Sequence, residues 1–494
     1  MRGITQILQK LTKYDGILVV LFFLSLPLCN PWVHGDGVGY YAYARSLLIE
    51  RNLNFENDWK HGNESFEISR MDAQGNILPD QFTRTGHVLN HWTIGPALLW
   101  LPFLALTHAA VLLADKLGAH AAADGFSQPY LITMALATAI YGFLGVWISF
   151  RLARKYFQER WALIATLGIW WASSIPVYMY FNPSWSHAHS EFAAAVFLWY
   201  WHRTRGARTP GQWIVLGLIS GLLVDIYYPN GVLLFVPLLE AFGSYWRELR
   251  RRGPAGANST SGGLVRLFGA HVLYFVVFLV ALLPTFISRK IIFGSPFETG
   301  YAPIEQWKWQ DPAFGRVLWS ADHGAFTWTP ILLLAVIGLV FFRRADKAMA
   351  AYLMVAVAAF YLVVCFHTNW DGLSSFGNRF FISLTPIFIL GLAALFDAAA
   401  RAWTEPRVKI LAPAATAALV LWNLGLIYQW GTHLIPARGA ISFQEAAYNQ
   451  FAVVPEQAGR NLKSYFTRRR RMMNRIEQED VNQLKKQQET GGKQ

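Results

Sequence analysis

Four short segments of the sequence hold most of the residues that could do chemistry, and each connects apolar stretches of the chain. They contain acids, histidines, tryptophans and arginines, and they span residues 34–37, 181–191, 294–329 and 369–379. Carboxylates and imidazoles transfer protons, and the planar guanidinium group of arginine suits a phosphate. The other connections carry mainly simple basic residues. The sequence therefore predicts that the protein acts on one face, where these four segments lie.

The apolar stretches are the elements that position those residues. Of the 494 residues, 54% are hydrophobic and 15% are charged, whereas soluble domains carry about 25% charged residues. The apolar residues gather in runs of roughly 17–25, the length of a helix that crosses about 30 Å of hydrocarbon. Only helices and closed barrels satisfy their backbone groups in lipid, and continuous runs lack the alternation of a barrel. The predicted fold class is an all-α polytopic integral membrane protein.

About eleven membrane helices are expected, and they form one transmembrane domain at residues 1–430. The remaining residues, 431–494, are polar, and we expect them to be non-cytoplasmic and partly disordered or loosely helical. The predicted spans are 15–33, 128–150, 161–181, 187–202, 213–228, 230–246, 267–288, 327–342, 349–366, 381–399 and 410–430.

The net charge of +13 does not indicate a nucleic-acid-binding protein, because Lys and Arg cluster between apolar stretches, as membrane topology requires. By the same rule the N-terminus, with Arg2, Lys10 and Lys13, is predicted to be cytoplasmic. Cys29 and Cys365 both lie in apolar stretches, so neither a disulfide framework nor a cysteine metal site is expected.

The large first outer loop, residues 34–127, contains two further elements. Residues 36–52 are predicted to form an amphipathic juxtamembrane helix that begins near Asp36. Residues 93–118 are strongly apolar. If they crossed the membrane once, the basic loops that follow would fall on the outer face, against the positive-inside rule. We therefore predict that they form a membrane-surface or re-entrant element.

Four features of the sequence occur together in one known family. Asp36 follows the first span and leads into an aromatic helix, and a Gly-Pro-Ala-Leu-Leu element begins at Gly95. A Phe-Gly-Ser-Pro-Phe stretch at Phe293 precedes a Gly-Tyr pair, and Trp-Asp-Gly at Trp370 leads to Ser-Phe-Gly-Asn-Arg-Phe. In this layout, which covers nearly the whole chain, the sequence resembles the GT-C membrane glycosyltransferases. The resemblance is to the bacterial branch of protein O-mannosyltransferases and aminoarabinose transferases, which is glycosyltransferase family 39-like.

The resemblance implies an inverting glycosyltransferase that moves a sugar from a polyprenyl-phosphate donor to an acceptor at the outer face of the membrane. The resemblance does not decide whether the acceptor is a protein, a lipid or a polysaccharide. The family's first-loop acid corresponds to Asp36, which is thereby expected to be the catalytic base; capping of the following helix is the structural alternative. His34, Tyr40 and Tyr41 are expected to contact the substrate.

The sequence departs from the family where a second acid and a lysine are common. In place of the acid it offers His187, His189 and Glu191. All three are expected to bind substrate. For His187 and His189 the alternatives are that they join Asp36 around a divalent metal or that they cap and pack a helix. His91 stands where relatives commonly carry a lysine that faces the carrier phosphate, and histidine is a weaker, pH-dependent cation.

Three basic residues are candidates to hold the carrier phosphate, namely Arg289, Lys290 and Arg379. The alternative is that they are ordinary interfacial or snorkelling side chains. Trp370 and Asp371 are expected to contact the sugar, although the tryptophan also suits an interfacial aromatic belt.

A transporter or flippase of lipid-linked glycans is the alternative to an enzyme. Transporters tend to carry internal repeats and broken helices, which this sequence does not clearly show.

Asp322-His323, in the third outer segment, suits a turn as well as a site. No soluble-cofactor motif is present, which leaves a divalent metal as the one cofactor considered. The predicted location is the inner (plasma) membrane, with a periplasmic active face and with the donor, the acceptor and the bilayer as partners.

Overall fold

The computed structural model describes residues 11–250, 260–403 and 405–491, so Arg2 and Lys10 lie outside the described residues. Helices dominate this part of the chain. Its only β-type pairings are two isolated bridges within the first outer loop. The predicted all-α class is confirmed.

Sixteen helices of ten residues or more occur in the described residues, and they are numbered in chain order. They are α1 Lys13–Ser25, α2 Asp36–Arg45, α3 Gly95–Ala114, α4 Gln128–Ala153, α5 Glu159–Trp171, α6 His187–Thr204, α7 Pro210–Ile226, α8 Phe235–Arg250, α9 Thr260–Ala281, α10 Leu283–Phe293, α11 Ile331–Phe342, α12 Lys347–Phe366, α13 Thr385–Ala402, α14 Glu405–Gly431, α15 Val454–Thr467 and α16 Arg469–Gly491.

Each of the eleven predicted spans contains at least one of these helices, as expected of a polytopic membrane protein. Within the described residues, six helical segments are long and apolar enough to cross a membrane, and they contain α3, α4, α9, α12, α13 and α14. The predicted span 267–288 is divided, because α9 ends at Ala281 and α10 starts with Pro284 in its first turn. Proline lacks the N–H that would continue the hydrogen bonding of α9.

Glycines let the central helices pack closely. A Cβ atom at Gly338 of α11 would lie 1.8 Å from the backbone oxygen of Gly391 in α13. A Cβ atom at Gly145 of α4 would lie 2.9 Å from the Cα atom of Phe192 in α6. Close backbone approach at small residues is characteristic of helix pairs in membranes. These contacts hold α6 and α13 in place. Candidate site residues lie at or next to the N-terminal ends of these two helices.

We expect Gly338→Ala to destabilise the protein, because the added methyl group would overlap the Gly391 backbone and separate α11 from α13. Overpacking of this kind costs about 1–3 kcal/mol. Thermal unfolding in detergent would measure it, with Gly269→Ala in α9 as the control, since a Cβ atom there meets nothing within 4 Å. Equal unfolding temperatures for the two variants would contradict the expectation.

The helix predicted at residues 36–52 is present as α2 and a π-helical turn, Ser46–Glu50. Residues Gly37–Arg45 are all buried, whereas the sequence pattern predicted a helix with one buried face. The rest of the loop covers the other faces: a Cβ atom at Gly39 would lie 1.8 Å from the Trp92 ring.

The apolar residues 93–118 form α3 and a following π-helical turn that ends at Ala119. This segment has the length and apolarity of a membrane span. Its expected position on the membrane surface stays a prediction.

The C-terminal segment, which the sequence predicted to be partly disordered or loosely helical, forms α15 and α16 in the described residues, and α16 packs on the first outer loop. Glu477 of α16 accepts hydrogen bonds from Asn63 Nδ2 at 2.8 Å and from the Ser65 backbone N–H at 2.6 Å. Arg469 donates to the backbone oxygens of Pro27 and Cys29. The polar composition suggested disorder, but these polar side chains are used in contacts with distant parts of the chain.

Candidate active site

Asp36 and Arg379 form an ion pair on the outer side of the helix bundle. Asp36 is the first residue of α2, and Arg379 begins the short 3₁₀ helix Arg379–Leu384 that leads into α13. Arg379 Nη1 donates to Asp36 Oδ2 at 2.8 Å. The Asp36 side chain is 32% exposed and that of Arg379 is 10% exposed. The pair joins the first and the fourth of the polar segments.

The second polar segment supports this pair. The Arg379 guanidinium lies 4.4 Å from the centre of the Trp185 ring, a distance at which cation and aromatic ring attract. Trp185 Nε1 in turn donates to the His34 backbone oxygen at 3.0 Å. A Cβ atom at Gly37 would lie 1.9 Å from Ser184 Oγ, so only glycine lets the start of α2 come this close.

The charge of Asp36 depends on its partner. Burial raises the pKa of Asp36, but the charge and the hydrogen bond of the Arg379 guanidinium lower it. The resulting pKa lies below the ordinary value of 3.8. Asp36 is therefore a carboxylate at neutral pH, able to accept a hydrogen bond or a proton from a bound hydroxyl group.

A cavity of about 830 Å³ opens beside the ion pair. Its polar end contains Asp36, Arg379 and His34, together with three residues that sequence reasoning did not single out: Arg70, Arg438 and Asp480. The other part is apolar and lies between α14 and α15, where it is lined by Leu421, Leu424, Val454, Ala458 and Leu462. The cavity is thus amphiphilic, with its charges at the end that holds Asp36.

The structure brings some of the expected first-loop residues to Asp36 and not others. Tyr40 lies close to Asp36. Burial raises the pKa of the Tyr40 hydroxyl, and the Asp36 carboxylate raises it further. Tyr41 instead donates to the Gly125 backbone oxygen at 2.8 Å and does not line the cavity, so its expected contact with the substrate stays a prediction. Successive helical residues point about 100° apart, which explains why these neighbours separate.

The two histidines of the second outer segment diverge. The His187 ring contacts Tyr178 and Tyr227, near Asp36. The His189 ring contacts Trp100 and Tyr141, inside the bundle. A shared metal site with Asp36, which the spacing of two had suggested, therefore does not form.

Glu191 and His91 differ from expectation in their surroundings. Glu191 is fully buried in α6, beside Gly145 of α4, and it does not line the cavity. Burial lowers the pKa of His91 to about 4, although Asp36 acts to raise it. His91 is therefore neutral at pH 7 and does not supply the positive charge that a lysine would supply there.

Arg289 is engaged by the protein backbone, and its expected role as a phosphate clamp stays a prediction. Its two terminal nitrogens donate to the backbone oxygens of Asn90, His91 and Trp92 at 2.7–2.9 Å. Its Nε atom donates to the Tyr228 hydroxyl at 2.9 Å. The arginine is 1% exposed and fixes the loop that carries His91.

Lys290 and Trp370 do not line the cavity beside the ion pair. Lys290 is exposed and donates to the Gly294 backbone oxygen at 2.9 Å. Trp370 is buried, with the Arg316 guanidinium 5.8 Å from its ring centre. Neither residue lines the cavity, so their expected contacts with the phosphate and the sugar lack support.

Comparison with known proteins gives a weak structural likeness. No family model matches the chain, and no curated protein matches it. Among solved structures, the chain is similar to the crystal structure of ArnT from Cupriavidus metallidurans in the apo state, with 13% sequence identity and a TM-score of 0.45. The match covers 91% of this chain and 75% of that one. At this level of similarity the match carries no conclusion about family or activity.

Proposed function

We propose that this protein is a membrane glycosyltransferase that moves a sugar from a polyprenyl-phosphate donor to a hydroxyl group at the outer face of the membrane. The observation that carries the proposal is the Asp36–Arg379 pair at the polar end of an amphiphilic cavity. A cation beside a carboxylate suits the transfer of a sugar from a phosphate to a hydroxyl group.

The cavity fits a donor that is polar at one end and apolar at the other. Its volume of about 830 Å³ falls within the roughly 300–1,000 Å³ of small-molecule sites. Arg70, Arg379 and Arg438 line the polar end, and guanidinium groups bind phosphate through paired hydrogen bonds. Leucines of α14 and α15 line the other part, where the first isoprene units of the lipid would bury apolar surface.

The proposed reaction is an inverting displacement at the anomeric carbon. The acceptor oxygen forms a bond to that carbon from the face opposite the phosphate, and the bond between the carbon and the phosphate oxygen breaks. The electron pair leaves with the phosphate, whose charge the arginines stabilise. The Asp36 carboxylate takes the proton of the acceptor hydroxyl group. The products are a glycoside and the polyprenyl phosphate.

The proposal is tested by supplying the full-length protein, in lipid nanodiscs, with a panel of radiolabelled polyprenyl-phosphate sugars. Donor binding is measured first, and transfer is then measured with cell-envelope extract as the source of acceptor. Binding of one donor followed by release of unlabelled carrier would support a transferase. Binding with movement of intact donor between leaflets, and without transfer, would identify a flippase and overturn the proposal.

Replacing Arg379 with glutamine is expected to move the acidic limb of the pH–activity profile to higher pH. In the wild type the lowered pKa of Asp36 keeps the carboxylate ionised as the pH falls, and activity is lost only below the ordinary range of an aspartate. Without the guanidinium, burial alone acts on Asp36 and raises its pKa.

The measurement is kcat/KM as a function of pH for the donor identified above. The control is Arg316→Gln, which removes an exposed arginine paired with Asp311 and should leave the acidic limb in place. An acidic limb at the same pH in Arg379→Gln and wild type would exclude Asp36 as its origin.

A further inference from the structure

Asp322, His323 and Asp371 converge from two outer segments that are far apart in sequence. Asp322 and His323 lie in the turn between the short helices Phe314–Trp319 and Ala325–Trp328. Asp371 lies between the end of α12 and Arg379. One side-chain nitrogen or oxygen of each residue lies within 4.8 Å of those of the other two. Two acids and an imidazole thus share one small volume.

The imidazole of His323 has no hydrogen-bond partner. The residue is 0% exposed, and neither Nδ1 nor Nε2 makes a hydrogen bond. Asp322 Oδ1 is also buried without a hydrogen bond. Buried polar atoms are almost always paired, and an unpaired one costs about 1–3 kcal/mol. His323 Nδ1 and Asp322 Oδ1 lie in contact without forming a hydrogen bond, and His323 Nε2 makes no hydrogen bond either, so these buried atoms point to a ligand.

The spacing of these atoms suits a metal ion. His323 Nδ1 lies 3.1 Å from Asp322 Oδ1. Two ligands of a tetrahedral zinc ion, each about 2.0–2.1 Å from the metal, lie about 3.3 Å apart. The two atoms could therefore bind the same ion without a change of backbone, and Asp371 would supply the third ligand.

The donor set selects the kind of metal. Magnesium and calcium prefer oxygen ligands throughout, whereas an imidazole nitrogen with two carboxylates suits zinc or manganese. Three protein ligands leave at least one coordination position for water or a phosphate oxygen.

We propose that Asp322, His323 and Asp371 bind a divalent transition-metal ion that joins the third and fourth outer segments. The site adjoins the ion pair described above. Asp371 precedes Gly372, and a Cβ atom at Gly372 would lie 3.3 Å from Arg379 Nε. The metal thus fixes the segment that positions Arg379. Metal binding is a property of these three residues and does not depend on the proposed transferase activity.

The test is metal binding by the full-length protein in detergent. Bound metal is removed from the protein with a chelator, and the protein is then titrated with Zn²⁺ and with Mn²⁺. The metal bound per chain is measured by inductively coupled plasma mass spectrometry. We expect one ion per chain, a higher unfolding temperature with metal, and affinity at least about tenfold weaker in Asp371→Asn and His323→Gln. For bound Mn²⁺, the paramagnetic resonance spectrum should show coupling to one imidazole nitrogen, which His323→Gln removes.

The control is Asp311→Asn, which alters an exposed acid of the same outer segment and should leave metal binding unchanged. His323 is buried, so His323→Gln risks misfolding, whereas Asp371 is only half-buried and Asp371→Asn keeps the test decisive. Failure of the wild type to retain either metal would overturn the proposal. So would equal affinity in wild type and Asp371→Asn.

Discussion

Replacing Asp36 with asparagine is expected to lower sugar transfer by about 100- to 10,000-fold, the usual contribution of a general base. The amide has nearly the shape of the carboxylate and still accepts a hydrogen bond from Arg379, but it cannot take the acceptor's proton. The expected loss is therefore in kcat, with donor binding retained. The measurement is the initial rate of transfer and, separately, the affinity for the donor in nanodiscs.

The matched control is Asp80→Asn, because Asp80 is an exposed acid of the same outer loop and lies outside the cavity. It should transfer sugar at the wild-type rate. A loss of donor affinity with unchanged kcat in Asp36→Asn would make Asp36 a binding residue. Full activity in Asp36→Asn would remove it from the mechanism, and a flippase, which needs no base, would then be favoured.

Replacing Arg289 with methionine is expected to destabilise the protein by about 2 kcal/mol or more. The substitution leaves the backbone oxygens of His91 and Trp92 without the Arg289 donor in a buried place, and each unpaired acceptor costs about 1–3 kcal/mol. The Asn90 oxygen keeps the Tyr43 hydroxyl as a donor. Methionine fills much of the same volume, so the loss of stability comes from the missing hydrogen bonds rather than from a cavity. Thermal unfolding in detergent measures the effect.

Lys290→Met is the matched control, since it removes the neighbouring cation, whose side chain is exposed and bonded to one backbone oxygen. It should unfold at nearly the wild-type temperature. The two roles considered for Arg289 give different results. A phosphate clamp would lose donor affinity at unchanged stability, whereas a residue that holds the backbone loses stability first. Wild-type stability of Arg289→Met with weaker donor binding would favour the clamp.

The sequence by itself determined where the helices lie and which face carries the polar residues. Apolar length is a local property, because each run must span the hydrocarbon and satisfy its own backbone whatever its neighbours do. The expected stretches 128–150 and 349–366 accordingly match α4 and α12 to within a few residues. Asp36 at the start of a helix was also predictable, since first-turn acids are favoured by the helix dipole.

Only the tertiary structure decided which of the polar residues meet. Asp36 and Arg379 are 343 positions apart, and no local pattern fixes a contact at that separation. Arg289 and Arg379 look alike in sequence, since each is a cation near the outer end of an apolar stretch. One faces three backbone oxygens and the other faces a carboxylate because the helices that carry them pack against different neighbours.

The C-terminal segment is a second case in which the local sequence does not determine the contacts with distant parts of the chain. Its polar composition predicted a disordered or loosely helical tail, and in the structure α16 packs on the first outer loop while α15 and α16 form one wall of the cavity. Composition reports whether a segment can bury a core of its own. It does not report the surfaces that another part of the chain offers, and those surfaces, brought near by the packing of the membrane helices, order this segment and complete the site.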